Sequence, residues 1–117
     1  MGKTLRQKEL LNQYRERQVV GGICCVRCTS NGRALLLSAT DPESQRSRFA
    51  FAVTTNSSLT PAMAGDWQEF GAGSFTFEIL ESLEKSPEQD DRAFGADLHA
   101  LTGLWRERLA HEGTEFY

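Results

Sequence analysis

The sequence predicts one α+β domain in which helices flank a small antiparallel or mixed β-sheet, with an extra helix at the N-terminus. Its length, 117 residues, is that of a single domain. Three observations predict the fold. They are a hairpin signal at Asn31-Gly32 between two apolar segments, an alternating apolar pattern in residues 74–82, and helix-capping signals after each of these features.

The N-terminal segment predicts an amphipathic helix outside the main domain. Thr4 followed by Gln7 matches a capping box. Leucines and a tyrosine then recur at spacings near three and four, which predicts a helix over residues 5–18. We therefore expect an N-terminal helical extension at residues 1–21 and a domain at residues 22–117.

The first two strands are predicted from residue types and from the turn between them. Residues 22–29 are rich in β-branched side chains and small thiols, and residues 34–39 form an apolar return strand. Asn31-Gly32 is typical of a type I′ turn, which requires a positive φ at two residues. The three consecutive leucines at 35–37 suggest burial on both faces of the sheet.

Two helices are predicted after the hairpin. Thr40-Asp41-Pro42-Glu43 is a typical helix start, with a capping residue, an early proline and early acids. Thr60-Pro61 opens a second helix, which Gly71 ends.

A third strand and a last helix complete the predicted order. Phe75, Phe77 and Ile79 alternate with polar residues, so they are expected to point inward from a half-buried strand. Ser86-Pro87 is the predicted start of the last helix. Its apolar side is predicted to comprise Leu98, Leu101, Leu104, Trp105 and Leu109.

The three cysteines of the chain, Cys24, Cys25 and Cys28, fall within five residues. A structural zinc site needs four converging ligands, but side chains along a strand alternate between its faces. Cys24 and Cys28 are therefore expected on one face and Cys25 on the other. The pattern favours small buried core residues, and no metal site is predicted.

Composition also indicates a compartment. An odd cluster of cysteines suits a reducing environment with free thiols. No apolar run approaches the roughly 20 residues of a membrane span, and the charged N-terminus is unlike a secretory signal. We therefore expect a cytoplasmic protein with no membrane contact.

The formal net charge of −3 is unevenly distributed. Residues 1–34 hold seven Lys/Arg against two Glu, whereas the remaining residues hold six Lys/Arg against 14 Asp/Glu. This asymmetry fits an anionic partner on the N-terminal side, and it fits equally a solvated basic helix face.

Two blocks of the sequence carry recognisable motifs. The first begins with Gly22-Ile23-Cys24 and continues, after the Asn-Gly turn, with the leucines at 35–37. The second is "DWQEFG" followed by "SFTFEILE", an aromatic helix end before a strand. Over about residues 22–81 this arrangement resembles the GIY-YIG nuclease family. The resemblance places Cys24 at the tyrosine of the first family motif, Gly-Ile-Tyr, and the three leucines at the second, Tyr-Ile-Gly.

The resemblance implies an altered site. In the family, two tyrosine hydroxyls, an arginine and a metal-binding glutamate surround the scissile phosphate. Here the corresponding remnant site comprises Cys24, Leu35, Arg48 and Asp97. Arg48 fits either a phosphate contact or a surface ion pair, and Asp97 fits a solvated helix position better than a ligand. The site is therefore predicted to lack catalysis and bound metal.

Three functions stay open at this point. One is a nucleic-acid-binding or accessory domain, with DNA as the partner. Another is an active endonuclease, which alone would require Mg²⁺. The third is a protein-interaction module without a nucleic-acid role. Binding to nucleic acid would use the following arginines, with Arg48 in addition: Arg15, Arg17, Arg27 and Arg33.

Overall fold

The computed structural model describes residues 19–117. The helix predicted over residues 5–18, together with Arg15 and Arg17, lies outside the described residues. None of the helices in the described part is long and apolar enough to cross a membrane. The elements in chain order are β1 (Val20–Cys28), β2 (Ala34–Ala39), α1 (Pro42–Thr55), a 3₁₀ turn (Pro61–Met63), α2 (Ala64–Phe70), a second 3₁₀ turn (Ala72–Ser74), β3 (Phe75–Glu84) and α3 (Asp91–His111).

The three strands form one antiparallel sheet in the order β2-β1-β3. The predicted α+β fold class is therefore confirmed. The pairing of β1 with β3 shifts register after Ile23, because Ile23 faces Glu81 while Cys24 faces Ile79. Leu80 is the extra residue of this β-bulge. The alternation of inward and outward side chains that was predicted through Ile79 therefore shifts by one residue at the bulge.

Helices cover both faces of the sheet and create two apolar clusters. Val26 and Cys28 of β1 pack with residues of α1 and α2, including the buried Trp67. Ile23 and Cys25 point the other way and pack against α3. All three cysteines have zero exposure, which confirms the prediction of small buried core residues. Cys25 and Cys28 lie in opposite clusters, as strand alternation predicts.

The hairpin is present, but the predicted type I′ turn is wrong. The connection spans residues 29–33, and only Gly32 in it has a positive φ, at 77°. The carbonyl of Cys28 accepts a hydrogen bond from the N–H of Gly32 at 2.8 Å. The side chain of Asn31 stabilises this wider turn, since its Oδ1 accepts from the N–H of Arg33 at 3.0 Å.

The starts of α1 and α3 have side-chain caps. The helix start predicted at Thr40-Asp41-Pro42-Glu43 is present, and Asp41 is the cap, accepting from the N–H of Ser44. The predicted start of the last helix at Ser86-Pro87 is wrong, because Ser86 and Gln89 close a turn and Asp90 caps α3 instead. The predicted apolar side of α3 holds except at Leu104, which is 62% exposed.

Replacing Gly32 by alanine is expected to lower the free energy of unfolding by about 1–2 kcal/mol, since an L-residue at this φ is strained. No heavy atom lies within 4 Å of the added Cβ, so crowding does not contribute. Gly65→Ala in α2 is the matched control and should be neutral or stabilising, because alanine is the better helix former. Urea unfolding of both variants gives the comparison. Equal effects from the two substitutions would contradict the assigned turn geometry.

Candidate nucleic-acid interface

Three of the four residues of the predicted remnant site lie around one side of the sheet. Leu35 and Leu37 of β2 and Arg48 of α1 line a cleft of about 160 Å³. The leucines share this face because they are two residues apart on a strand. Gln45, one helical turn before Arg48, lines the same cleft. Its position was not singled out from the sequence, although its spacing from Arg48 places both on one helix side.

Cys24 lies on the central strand, directly opposite Leu37 in the pairing of β1 with β2. Burial raises the pKa of its thiol, and the nearby Arg46 guanidinium only partly opposes that effect. The thiol is therefore neutral at physiological pH and is neither a base nor a nucleophile. Of this facing pair, the larger side chain, Leu37, lies on β2 and the smaller, Cys24, lies on β1.

The two arginines of α1 differ in their surroundings. The Nε of Arg46 lies 3.2 Å from an oxygen of Glu43, and the guanidinium lies 5.1 Å from the ring centre of Phe77. Arg48 is exposed and forms no ion pair with any carboxylate in residues 19–117. The sequence left two interpretations of Arg48, a phosphate contact and a surface ion pair. The described residues contain no partner for such an ion pair.

Arg48 and Leu59 also line a second hollow, of about 390 Å³, in which Phe51 is 69% exposed. We call the two adjoining hollows the Arg48 groove. The hydroxyl of Thr60, at the smaller hollow, is buried without a hydrogen-bond partner among the described residues. The groove therefore combines leucine walls with an exposed guanidinium and hydroxyl groups.

Asp97 is not brought together with the other predicted site residues. It is exposed on α3, which packs against the opposite face of the sheet, and its Oδ2 accepts from Nε2 of Gln89 at 2.6 Å. Residues 19–117 contain no cluster of three or more His, Cys, Asp or Glu placed to hold a metal ion. The donor set around the Arg48 groove thus does not fit Mg²⁺, which prefers carboxylate oxygens.

The two predicted nucleic-acid-binding arginines in the described part have partners within the chain. Nη1 of Arg33 lies 3.5 Å from Oδ2 of Asp66, and its guanidinium lies 4.5 Å from the ring centre of Tyr117. The Tyr117 hydroxyl donates to the same Asp66 oxygen at 2.6 Å, which is the main reason that the pKa of Asp66 is lowered. Nη1 of Arg27 donates to the carbonyl of Gly32 at 3.3 Å. Both side chains therefore contribute to holding the hairpin turn.

Comparison with known proteins supports the fold. The catalytic domain of the homing endonuclease I-TevI, a GIY-YIG enzyme, is similar with a TM-score of 0.55 and 19% sequence identity. The similarity covers 81% of this chain and 94% of that domain. No protein-family model and no curated protein matches the sequence. At this level of identity the similarity establishes a GIY-YIG-like α+β fold and nothing finer.

Proposed function

We propose that this chain is a GIY-YIG-like domain that binds nucleic acid without cleaving it and acts as an accessory domain. The observation that carries the proposal is the chemistry of the groove wall. Where the resembling family places two phenols and a glycine, this chain has a buried neutral thiol at Cys24 and hydrocarbon side chains at Leu35 and Leu37. A fold alone does not supply the activity of its neighbours.

Hydrolysis of a phosphodiester requires a group that positions and deprotonates the attacking water. A leucine has no atom able to do so, and a buried thiol with a raised pKa is a poor base near neutral pH. The groove also lacks the carboxylates that would place a divalent ion, as the position of Asp97 on the other face illustrates. These features support a site that has lost catalysis.

Binding a phosphate requires fewer groups than cleaving a phosphodiester, and Arg48 supplies the cation that it needs. Its guanidinium is exposed, and it is free of carboxylates within the described residues. Residues 19–117 hold eight Lys/Arg against 14 Asp/Glu. We therefore propose weak binding with few phosphate contacts, since strong non-specific binding to DNA depends on many.

Arg48→Ala is expected to weaken binding to labelled DNA and to reduce the slope of log K against log salt by about 0.7–0.9, the contribution of one phosphate contact. Arg92→Ala is the matched control, because it removes the same charge from an exposed position of α3 on the other side of the sheet. Fluorescence anisotropy over a salt series measures both quantities. Equal losses from the two variants, or no binding by the natural chain, would contradict the proposal.

A further inference from the structure

Phe51 is an unusual surface residue of the described chain. It is 69% exposed, although a phenylalanine side chain is normally buried for its large apolar area. A single exposed apolar residue needs no explanation by itself. Phe51, however, lies one helical turn after Arg48 and lines the larger hollow together with it.

The larger hollow has the size and chemistry of a ligand site. Its volume of about 390 Å³ falls within the range of about 300–1,000 Å³ that is usual for such sites. An aromatic ring and the side chain of Leu59 supply apolar surface, and Ser57 and Ser58 supply hydroxyls. The hydroxyl of Thr55 already donates to the carbonyl of Phe51, so only its lone pairs remain for a ligand.

We propose that this hollow binds an unpaired nucleobase of a single-stranded nucleic acid, with Phe51 stacking on the base and Arg48 contacting an adjacent phosphate. This inference rests on the proposed function and specifies its ligand. An aromatic ring stacks on bases that are not already stacked within a duplex, and it tolerates any base because each has a π-face.

The charge of the chain favours the same ligand over a duplex. Tracking a duplex requires a row of cations, whereas the described residues are net acidic and Arg27 and Arg33 have internal partners. Stacking adds affinity without a further cation. One arginine beside one exposed ring thus fits a short unpaired segment better than it fits a duplex.

The test compares a labelled oligothymidylate with a duplex of mixed sequence, by fluorescence anisotropy in EDTA. The natural chain should prefer the single strand, and Phe51→Ala should weaken that binding by about 5- to 150-fold, the usual effect of losing one stacked base. Phe51→Trp should retain binding, and its indole fluorescence should be quenched when the oligonucleotide is added. Leu104→Ala is the control, since Leu104 is comparably exposed on α3.

Each other outcome overturns the inference in an identifiable way. Equal binding of both DNA forms, weakened by Arg48→Ala but not by Phe51→Ala, would refute base stacking and leave the proposed function standing. Absence of binding to either form would refute both. Self-association of the chain that Phe51→Ala abolishes would assign this surface to a second copy instead.

Discussion

Substituting Gly21 by alanine is expected to lower the free energy of unfolding by about 1–3 kcal/mol, the usual cost of overpacking a core. Gly21 lies on β1 next to Phe94 and Leu98 of α3. A Cβ built there would be 2.8 Å from the carbonyl oxygen of Ala39 and 2.9 Å from Cζ of Phe94. The carbonyl belongs to a paired strand and cannot move without breaking the pairing of β1 with β2, so the strain is not relieved by a change of rotamer.

Gly103→Ala provides the control for this prediction. No atom lies within 4 Å of the Cβ that it adds, and the residue lies inside α3. It should therefore be neutral or stabilise the domain by roughly 0.5–1 kcal/mol. Thermal and urea unfolding of both variants measure the difference. A Gly21→Ala variant as stable as the natural chain would show that α3 does not approach β1 this closely.

The second large effect is expected for Cys24 and Leu37, which lie opposite each other on β1 and β2. Cys24→Tyr places a phenol in a fully buried position and should destabilise the domain by about 1–3 kcal/mol. Leu37→Gly removes the bulk opposite it, so the double variant should be more stable than the two single effects predict. A coupling free energy of about 0.5–3 kcal/mol is the usual range for residues in contact.

A double-mutant cycle in urea measures this coupling. Leu104 lies on the other side of the sheet, so a parallel cycle of Cys24→Tyr with Leu104→Ala should be additive within about 0.5 kcal/mol. Coupling of equal size in both cycles would refute the view that the side chains of Cys24 and Leu37 pack against each other across the two strands.

Much of the fold was predictable because local signals agreed with the tertiary structure. The period-two alternation through Phe75 and Phe77 and the Asp41 cap both specify elements by neighbouring residues alone. The turn type was not predictable from Asn31-Gly32, because Asn31 uses its side chain to bond Arg33 and the distant Asp66. The start of α3 was misplaced because Ser86 and Asp90 are both typical capping residues, and in the structure Asp90 is the one that caps the helix.

The placement of the candidate site residues was predictable only in part. Cys24, Leu35 and Arg48 follow from motif positions on adjacent elements, and the structure places all three on the α1 side of the sheet. Asp97 depended on the register of a helix whose start was misjudged, and helix packing sends it to the opposite face. The exposure of Phe51 could not be predicted, because an apolar residue in a helical pattern is normally assigned to the core.

The proposal that the domain binds but does not cleave is tested most directly by plasmid nicking with Mg²⁺ or Mn²⁺. The natural chain should leave supercoiled plasmid intact, since each lost catalytic interaction commonly costs about 100-fold or more. Reactions with EDTA and with an Arg48→Ala variant purified in the same way identify a contaminating nuclease. Metal-dependent nicking by the natural chain that Arg48→Ala abolishes would contradict the account and assign an active nuclease.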